Sequence, residues 1–282
     1  MLKLFNLYLT TRVNKILKIL SYIFIFFTIQ LGYTQLSKTH YIPPMTYTPW
    51  PSPEYNRPYD QYFYISTPSL SPVNYTIKRG SDPAIWQSGT VDNSASVQID
   101  AIPVSTDGYF FINESDTQKI LTDAGFIIEA DKEIYVSVRF NANATGATGR
   151  QVHAGAMVSK GDSGFGNKFR VAGMQISNAG YLNFGSVMAT ENGTQVTITV
   201  PAGQNFISPV SGPITILLNK GESYVVAAND QRNSTRNGII GTLFESNKPV
   251  VVNSGGIGSV SQVGDPGDQK GGFDYGIDQI VS

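Results

Sequence analysis

The chain has 282 residues, a near balance of 20 basic and 21 acidic side chains, and no cysteine. The lack of cysteine excludes disulfides, thiolate metal sites and thiol catalysis. The part predicted to be exported has no basic cluster, which argues against binding to nucleic acid or to an anionic membrane. A charged fraction of only 15%, together with 28 glycines, is typical of an extracellular all-β protein rich in turns.

The first predicted element is an export signal over residues 1–35. Its basic leader contains Lys3, Arg12, Lys15 and Lys18. The apolar run from Ile19 to Leu31 that follows is 13 residues long, whereas a helix needs roughly 20 residues to span a bilayer. The pattern predicts a cleaved signal peptide with a mature start near Gln35, and hence a secreted or cell-surface protein. An uncleaved N-terminal anchor is the alternative.

A proline-rich lead follows over residues 36–58. Six prolines lie between Tyr41 and Pro58, with aromatic residues between them. Proline lacks an N–H donor and breaks helices, so we expect this segment to be extended. It should pack on the first β module or lead into it.

From Tyr59 onward the pattern predicts short strands separated by Gly, Pro and Asn, which favours β-sandwiches over α/β units. The predicted strands are Gln61–Ser66, Asn74–Lys78, Ala95–Asp100, Gly108–Asn113, Gly125–Ala130, Glu133–Asn141, Val152–Ser159, Lys168–Ile176, Tyr181–Ala189, Gln195–Val200, Ile214–Leu218, Ser223–Ala228, Ile239–Glu245 and Val250–Asn253. Residues 116–122 predict a single helical turn.

One segment occurs twice. Gly125–Val136 returns 116 residues later as Gly241–Val252, with identical Gly, Glu, Lys and final Val. Each copy is an apolar stretch, a polar corner at Asp131 or Asn247, and a second apolar stretch. An Asx side chain at a corner can bond its own backbone and tolerates a left-handed conformation. We therefore interpret the segment as a hairpin used twice.

These patterns predict an all-β fold of two tandem antiparallel β-sandwich-like modules from an internal duplication. The first β module, with a Gly-rich connection, is expected over residues 59–178 and the second over residues 179–256. Residues 257–282 are expected to form a loop and the start of a further, truncated module, because Tyr275–Val281 resembles a strand that nothing closes.

Gly161–Gly164 spells the nucleophile loop of chymotrypsin-like serine proteases. That chemistry needs a histidine within hydrogen-bond reach of Ser163 and a carboxylate behind the histidine. The two histidines, His40 and His153, have neither the order nor the spacing of that family. The segment therefore predicts a Gly-rich turn.

Gly255–Gly258 follows an apolar run, as a dinucleotide-binding glycine loop does. The next residues do not form the helix that such a loop requires, so a flexible hairpin end is the better interpretation.

The recurring Glu129 and Glu245 are expected to make a structural bond to backbone at the repeated corner.

Four aspartates, Asp265, Asp268, Asp274 and Asp278, could offer oxygen ligands to Ca²⁺. Their spacing matches no EF-hand, and solvated turn carboxylates are the preferred interpretation.

The aromatic residues Tyr62, Phe63 and Tyr64 are expected to divide between core and sheet surface. A carbohydrate-binding platform is the alternative.

Five motifs in order carry a resemblance to a known family. They are Lys38–Pro44, Ala189–Thr194, Gly221–Val226, Ser246–Asn253 and Asp274–Val281. Together they resemble the N-terminal region of large surface proteins of gliding bacteria that carry a C-terminal type IX secretion sorting domain. That region is similar to the N-terminal domain of the IgG Fc-binding protein. The resemblance implies a binding role but supplies no binding residues to transfer, and Fc binding itself is not carried over.

From the sequence we expect an exported cell-surface adhesion or recognition scaffold without catalytic activity, and we expect the chain to be the N-terminal fragment of a larger surface protein. No catalytic, cofactor-binding or metal-binding residue is predicted, and no cofactor is expected. The expected partner is an unknown extracellular protein or glycan. The alternative is a secreted polysaccharide-acting hydrolase, which would need two carboxyl groups about 5–9.5 Å apart in a cleft.

Overall fold

Strands dominate the computed structural model, which from Gln35 onward describes residues 35–47, 58, 60–100, 110–144, 150–173, 182–229, 237–257 and 275–282. Residues 35–282 form one compact unit. The strands are β1 Ser37–Ile42, β2 Met45–Tyr47, β3 Asp60–Ser66, β4 Val73–Arg79, β5 Ile85–Val91, β6 Val97–Asp100, β7 Phe111–Asn113, β8 Ile120–Leu121, β9 Phe126–Ala144, β10 Arg150–Val158, β11 Gly166–Arg170, β12 Leu182–Ala189, β13 Thr194–Thr199, β14 Ile214–Leu218, β15 Ser223–Asn229, β16 Leu243–Ile257 and β17 Tyr275–Ile280.

Two large antiparallel sheets have the same strand order. The first sheet runs β5-β4-β9-β3-β6, and the second runs β14-β13-β16-β12-β15. In the first sheet β1 and β10 also pair with β9, and in the second sheet β11 and β17 pair with β16. Seven strands of one sheet thus correspond to seven strands of the other, which confirms the all-β fold and the internal duplication.

The repeated segment is one long bent strand in each sheet, so the hairpin interpretation was wrong. The first half of β9 pairs with β1 and β4, and its second half pairs with β3 and β10. The halves of β16 likewise pair with β11 and β13, then with β12 and β17. A strand that bends and changes partners makes the corner at which a sheet folds over its own core.

The polar corner residues bond to a neighbouring strand, not to their own backbone. Asp131 Oδ1 accepts a hydrogen bond from the backbone N–H of Asn74 at 3.1 Å. Asn247 Oδ1 accepts one from the backbone N–H of Gln195 at 2.8 Å. Tyr75 pairs with the residue before Asp131, and Val196 pairs with the residue before Asn247. Asn74 and Gln195, which precede them, therefore occupy equivalent positions, and the same hydrogen bond recurs at both corners.

Each sheet encloses an apolar core. In the first, the rings of Phe63, Phe110 and Phe126 pack with centroids 4.5–4.8 Å apart. In the second, residues such as Val187 and Phe244 face inward from the two halves of the curled sheet. All eight residues of β12 are buried, because that strand contacts the second core on one face and the first core on the other.

Short strands that were not predicted add to the fold beside the two large sheets. Within the proline-rich lead, β1 pairs with the central strand β9 and β2 pairs in parallel with β7. The predicted helical turn over 116–122 was wrong in part: a 3₁₀ turn covers Glu114–Asp116, and β8 then pairs with the second-sheet strand β15. Tyr275–Ile280 is a strand, as expected, and it pairs with β16. The predicted module boundaries remain predictions.

The repeated corner can be tested by removing its acceptor oxygen. Replacing Asn247 with Ala, or Asp131 with Ala, leaves a backbone N–H of the adjacent strand without its partner. Each substitution should lower the free energy of unfolding by about 0.5–1.5 kcal/mol, measured by urea denaturation. Asp131→Asn keeps an acceptor oxygen and should stay closer to wild type. Equal stability of Asp131→Ala and Asp131→Asn would contradict the role given to this oxygen.

Candidate functional site

Gly161–Gly164 forms a 3₁₀ turn, as predicted from its glycines. Gly161 has a φ of +54°, and a Cβ at this position would collide with the Cβ of Ser37. Asp162 Oδ1 accepts a hydrogen bond from Ser37 Oγ at 2.8 Å. The backbone N–H of Ser163 donates to the carbonyl of Lys160 at 3.2 Å. The turn is therefore fitted against β1.

The buried histidine beside this turn bonds to Ser159, not to Ser163. His40 is fully buried, and its Nε2 lies 3.2 Å from the carbonyl oxygen of Ser37 and 3.1 Å from that of Ile134. Since carbonyl oxygens only accept, Nε2 carries a proton. Nδ1 then accepts from Ser159 Oγ at 3.0 Å. Burial lowers the pKa of His40, against the opposing effects of the two carbonyls and Asp162.

Gln279 extends this cluster into the second sheet. Its Oε1 accepts from the backbone N–H of Lys160 at 2.6 Å and lies 3.2 Å from Ser159 Oγ. Its Nε2 donates to the carbonyl of Tyr41 at 2.8 Å, while Asn253 Nδ2 donates to the carbonyl of Pro43 at 2.7 Å. A buried polar cluster of Ser37, His40, Ser159, Asn253 and Gln279 thereby joins β1 to β16 and β17.

Little in the sequence pointed to this cluster. Its members lie in β1, just after β10, in β16 and in β17, and only the tertiary pairing brings these distant segments together. By strand register, the first-sheet equivalent of Gln279 is Val158, and the second-sheet equivalent of His40 is Phe169. The polar cluster therefore belongs to the junction between the sheets, not to the repeated fold.

A second candidate is the open face of the first sheet, defined by residues of β6, β3, β9 and β10 that point away from its core. One cross-strand row on this face runs Asp100, Tyr62, Arg139, Ala156; the next runs Gln98, Tyr64, Ser137, Val158; Ser66 is paired with Tyr135 beyond them. The three tyrosines are half-buried, whereas Gln98, Asp100, Arg139 and Ala156 are more open to solvent. Phe63 points into the core, so the expected division of the aromatic run is confirmed.

Side chains on the open face are held in place by one another. The guanidinium of Arg139 lies 4.6 Å from the centroid of the Tyr64 ring. The Tyr64 hydroxyl donates to Gln98 Oε1 at 2.9 Å. The rings of Tyr62 and Tyr64 are 6.4 Å apart and tilted by 58°. Partial burial, with Asp60 and Asp100 nearby, raises the pKa of Tyr62.

The equivalent face of the second sheet is an internal interface. Register places Phe184 at the position of Tyr62, Val225 at that of Gln98, and Ile277 at that of Ala156. All three are buried in the core shared with the first sheet. The same surface of the same fold is thus covered in one sheet and open in the other.

The recurring glutamates form ion pairs, so the predicted bond to backbone was wrong. Glu129 lies 2.9 Å from the Nζ of Lys78 and 3.5 Å from that of Lys220. The hydrogen bond from Lys78 is the main reason that the pKa of Glu129 is lowered. Glu245 lies 2.8 Å from the Nζ of Lys168.

Gly255 and Gly256 lie inside β16, so the expected hairpin end was wrong at these two positions. A Cβ on Gly255 would collide with the carbonyl oxygen of Gly276, and one on Gly256 with Asn183. These glycines permit close approach of neighbouring strands.

Most of the proposed calcium loop lies outside the described residues, including Asp265, Asp268 and Asp274. Asp278 is described, is exposed on β17, and lies 3.2 Å from Lys160 Nζ. Among the described residues there is no group of three or more His, Cys, Asp or Glu side chains that could hold a metal ion. The side chain of His153 also lies outside the described part.

Residues 154–282 match the family model described as IgGFc binding protein. The match is shorter than half of the chain, and it contains β11 to β17. The chain is therefore similar to this binding family over its second sheet. Searches of curated proteins and of solved structures found no match. In the described part of the chain, no helix is long and apolar enough to cross a membrane.

The buried histidine should make stability depend on pH. The pKa of His40 is lowered below its ordinary value of 6.5, so the neutral form stabilises the fold above that value and the contribution is lost as pH falls below it. Thermal melts from roughly pH 7.5 to pH 5 should show a falling midpoint. His40→Gln should be less stable at neutral pH but less dependent on pH. His153→Gln serves as the control, and a wild-type slope in His40→Gln would refute this assignment.

Gln279 should be worth more to stability than its exposed neighbour. Gln279→Leu removes the partners of a Lys160 N–H and a Tyr41 carbonyl, which should cost about 1–3 kcal/mol for each buried group left unsatisfied. Asp278→Asn removes only an exposed ion pair and should change stability by less than about 1 kcal/mol. Urea denaturation measures the free energy of unfolding of both variants. A loss in Gln279→Leu no larger than that in Asp278→Asn would contradict the structural role of Gln279.

Proposed function

We propose that this chain is an exported cell-surface adhesion or recognition protein that acts by binding. The observation that carries the proposal is the open face of the first sheet. Its equivalent in the second sheet buries Phe184 and Ile277 against other β structure, so this surface of the fold suits an interface. On the open face, tyrosine and arginine occupy the exposed rows, and both residue types are enriched at binding hot spots.

The family similarity supports the same class of function. The matched family is described as IgG Fc binding, and we extend from it only the general role of recognising an extracellular partner. Export by a signal peptide over residues 1–35, and sorting by the type IX system of gliding bacteria, are part of the proposal. They rest on the N-terminal pattern and on the motif resemblance.

The polysaccharide-hydrolase alternative has less support. It would require two facing carboxyl groups in a cleft. On the open face, the described carboxylates Asp60 and Asp100 flank Tyr62 at an exposed sheet surface. No second function is favoured by a specific contact.

Export and binding can be tested together. Expression of the whole chain in a secreting bacterium should yield a processed protein that begins near Gln35. Beads coated with that protein should attach to cells that display it, and a Tyr62→Ser, Arg139→Ser double variant should reduce attachment about tenfold or more. Lys168→Ser, on the second sheet, is the matched control.

Ser163→Ala should leave attachment unchanged, because the hydrogen bond of His40 goes to Ser159. Release of reducing sugar or cleavage of peptide by the wild-type protein, lost on substituting Ser163 or a described carboxylate, would replace the binding proposal with an enzymatic one. Retention of the unprocessed chain inside the cell would contradict export.

A further inference from the structure

The open face carries a charge pattern that complements itself. Asp100, Tyr62 and Arg139 stand side by side on three adjacent strands. Strands in a sheet are about 4.8 Å apart, so Asp100 and Arg139 are each one strand away from the central tyrosine, on opposite sides of it.

A two-fold axis along β3 would use this pattern. A second copy of the open face can be placed over the first by rotating it by 180° about an axis that runs parallel to β3 above Tyr62. This rotation exchanges the β6 side of the face with the β9 side. Arg139 of one copy then lies opposite Asp100 of the other, twice. Tyr62 meets Tyr62, and Gln98 meets Ser137. Two sheets packed in this way have roughly aligned strands about 10 Å apart.

We propose that the open face binds the same face of a second copy of this chain, in a reversible two-fold contact. This inference rests on the proposed function and names its partner. A contact between identical surfaces must pair each residue reciprocally, and the Asp100, Tyr62, Arg139 row meets that condition. A protein partner of one charge sign would meet both signs on this face.

The side-chain geometry favours this partner over a glycan. A flat sugar ring stacks on an accessible aromatic face, but Arg139 lies over the ring of Tyr64, and the two tyrosine rings are tilted by 58°. These contacts also fix the side chains before binding, which reduces the entropy lost in a protein contact.

The composition of the face predicts a weak contact. The most exposed large apolar side chains of the described residues are Leu70, Ile85, Ile120, Leu217 and Val281, and all of them lie outside the open face. Obligate dimers bury more apolar surface than this face offers. A concentration-dependent equilibrium between monomer and dimer is therefore expected, suited to adhesion between displayed copies.

Charge reversal provides the test. The chain from Gln35 onward, which is one compact unit, is studied by sedimentation equilibrium over a wide concentration range. Arg139→Glu and Asp100→Lys should each weaken self-association about tenfold or more, because each places like charges in contact twice. The 1:1 mixture of the two variants should restore it, since the glutamate introduced in one variant then faces the lysine introduced in the other. Tyr62→Ser should also weaken it, and Lys168→Glu on the second sheet should not. Melting curves confirm that each variant is folded.

Three results would overturn the inference. They are a wild-type chain that stays monomeric, association that charge reversal on the open face leaves unchanged, and single reversals that the mixture does not restore. Binding of the monomer to chitin or cellulose, abolished by Tyr62→Ser, would assign the face to glycans. If coated beads attach to cells that display the protein while the chain stays monomeric in solution, the two-fold contact is refuted but the proposed recognition function is not.

Discussion

The bent central strand is the constraint on which both sheets depend. A strand of 19 residues such as β9 is too long for one flat side of a small sandwich, so it must turn where its partners change. At the bend, one backbone N–H of the neighbouring strand would lose its partner. The side-chain oxygen of Asp131 or Asn247 accepts a hydrogen bond from that N–H. A side-chain oxygen thus satisfies the backbone group at the bend, and both copies of the repeat have it.

The sequence revealed the repeat but not its shape. Gly125–Val136 and Gly241–Val252 are recognisable because their apolar alternation and corner residues recur. Alternation has the same period of two on either side of a bend as on either side of a hairpin turn, so it cannot tell which strands pair. Two strands next to prolines were also not predicted. β1 ends immediately before Pro43 and β2 begins immediately after Pro44, so the proline-rich composition favoured an unpaired extended segment.

The candidate sites were predictable only in part. The aromatic residues Tyr62, Phe63 and Tyr64 were predicted to divide between core and sheet surface, without saying which is buried, and the 161–164 turn was predicted from its glycines. The buried polar cluster was not, since His40 and Gln279 are far apart in the chain and each follows another polar residue, so neither stands out in its own strand. The two outer faces do differ in sequence, since Phe184 and Ile277 stand where the first sheet has Tyr62 and Ala156, but this difference can be recognised only once the strand register is known.

The different surroundings of the two outer faces account for their different side chains. The outer face of the second sheet is covered, and burial there favours apolar residues, each large one contributing about 1.5–3 kcal/mol. The junction then had to satisfy the buried backbone groups of Tyr41 and Lys160, which Gln279 does where the first sheet has Val158. The outer face of the first sheet is open to solvent, so polar and aromatic groups carry no burial cost there. These are the groups that can recognise a partner in water.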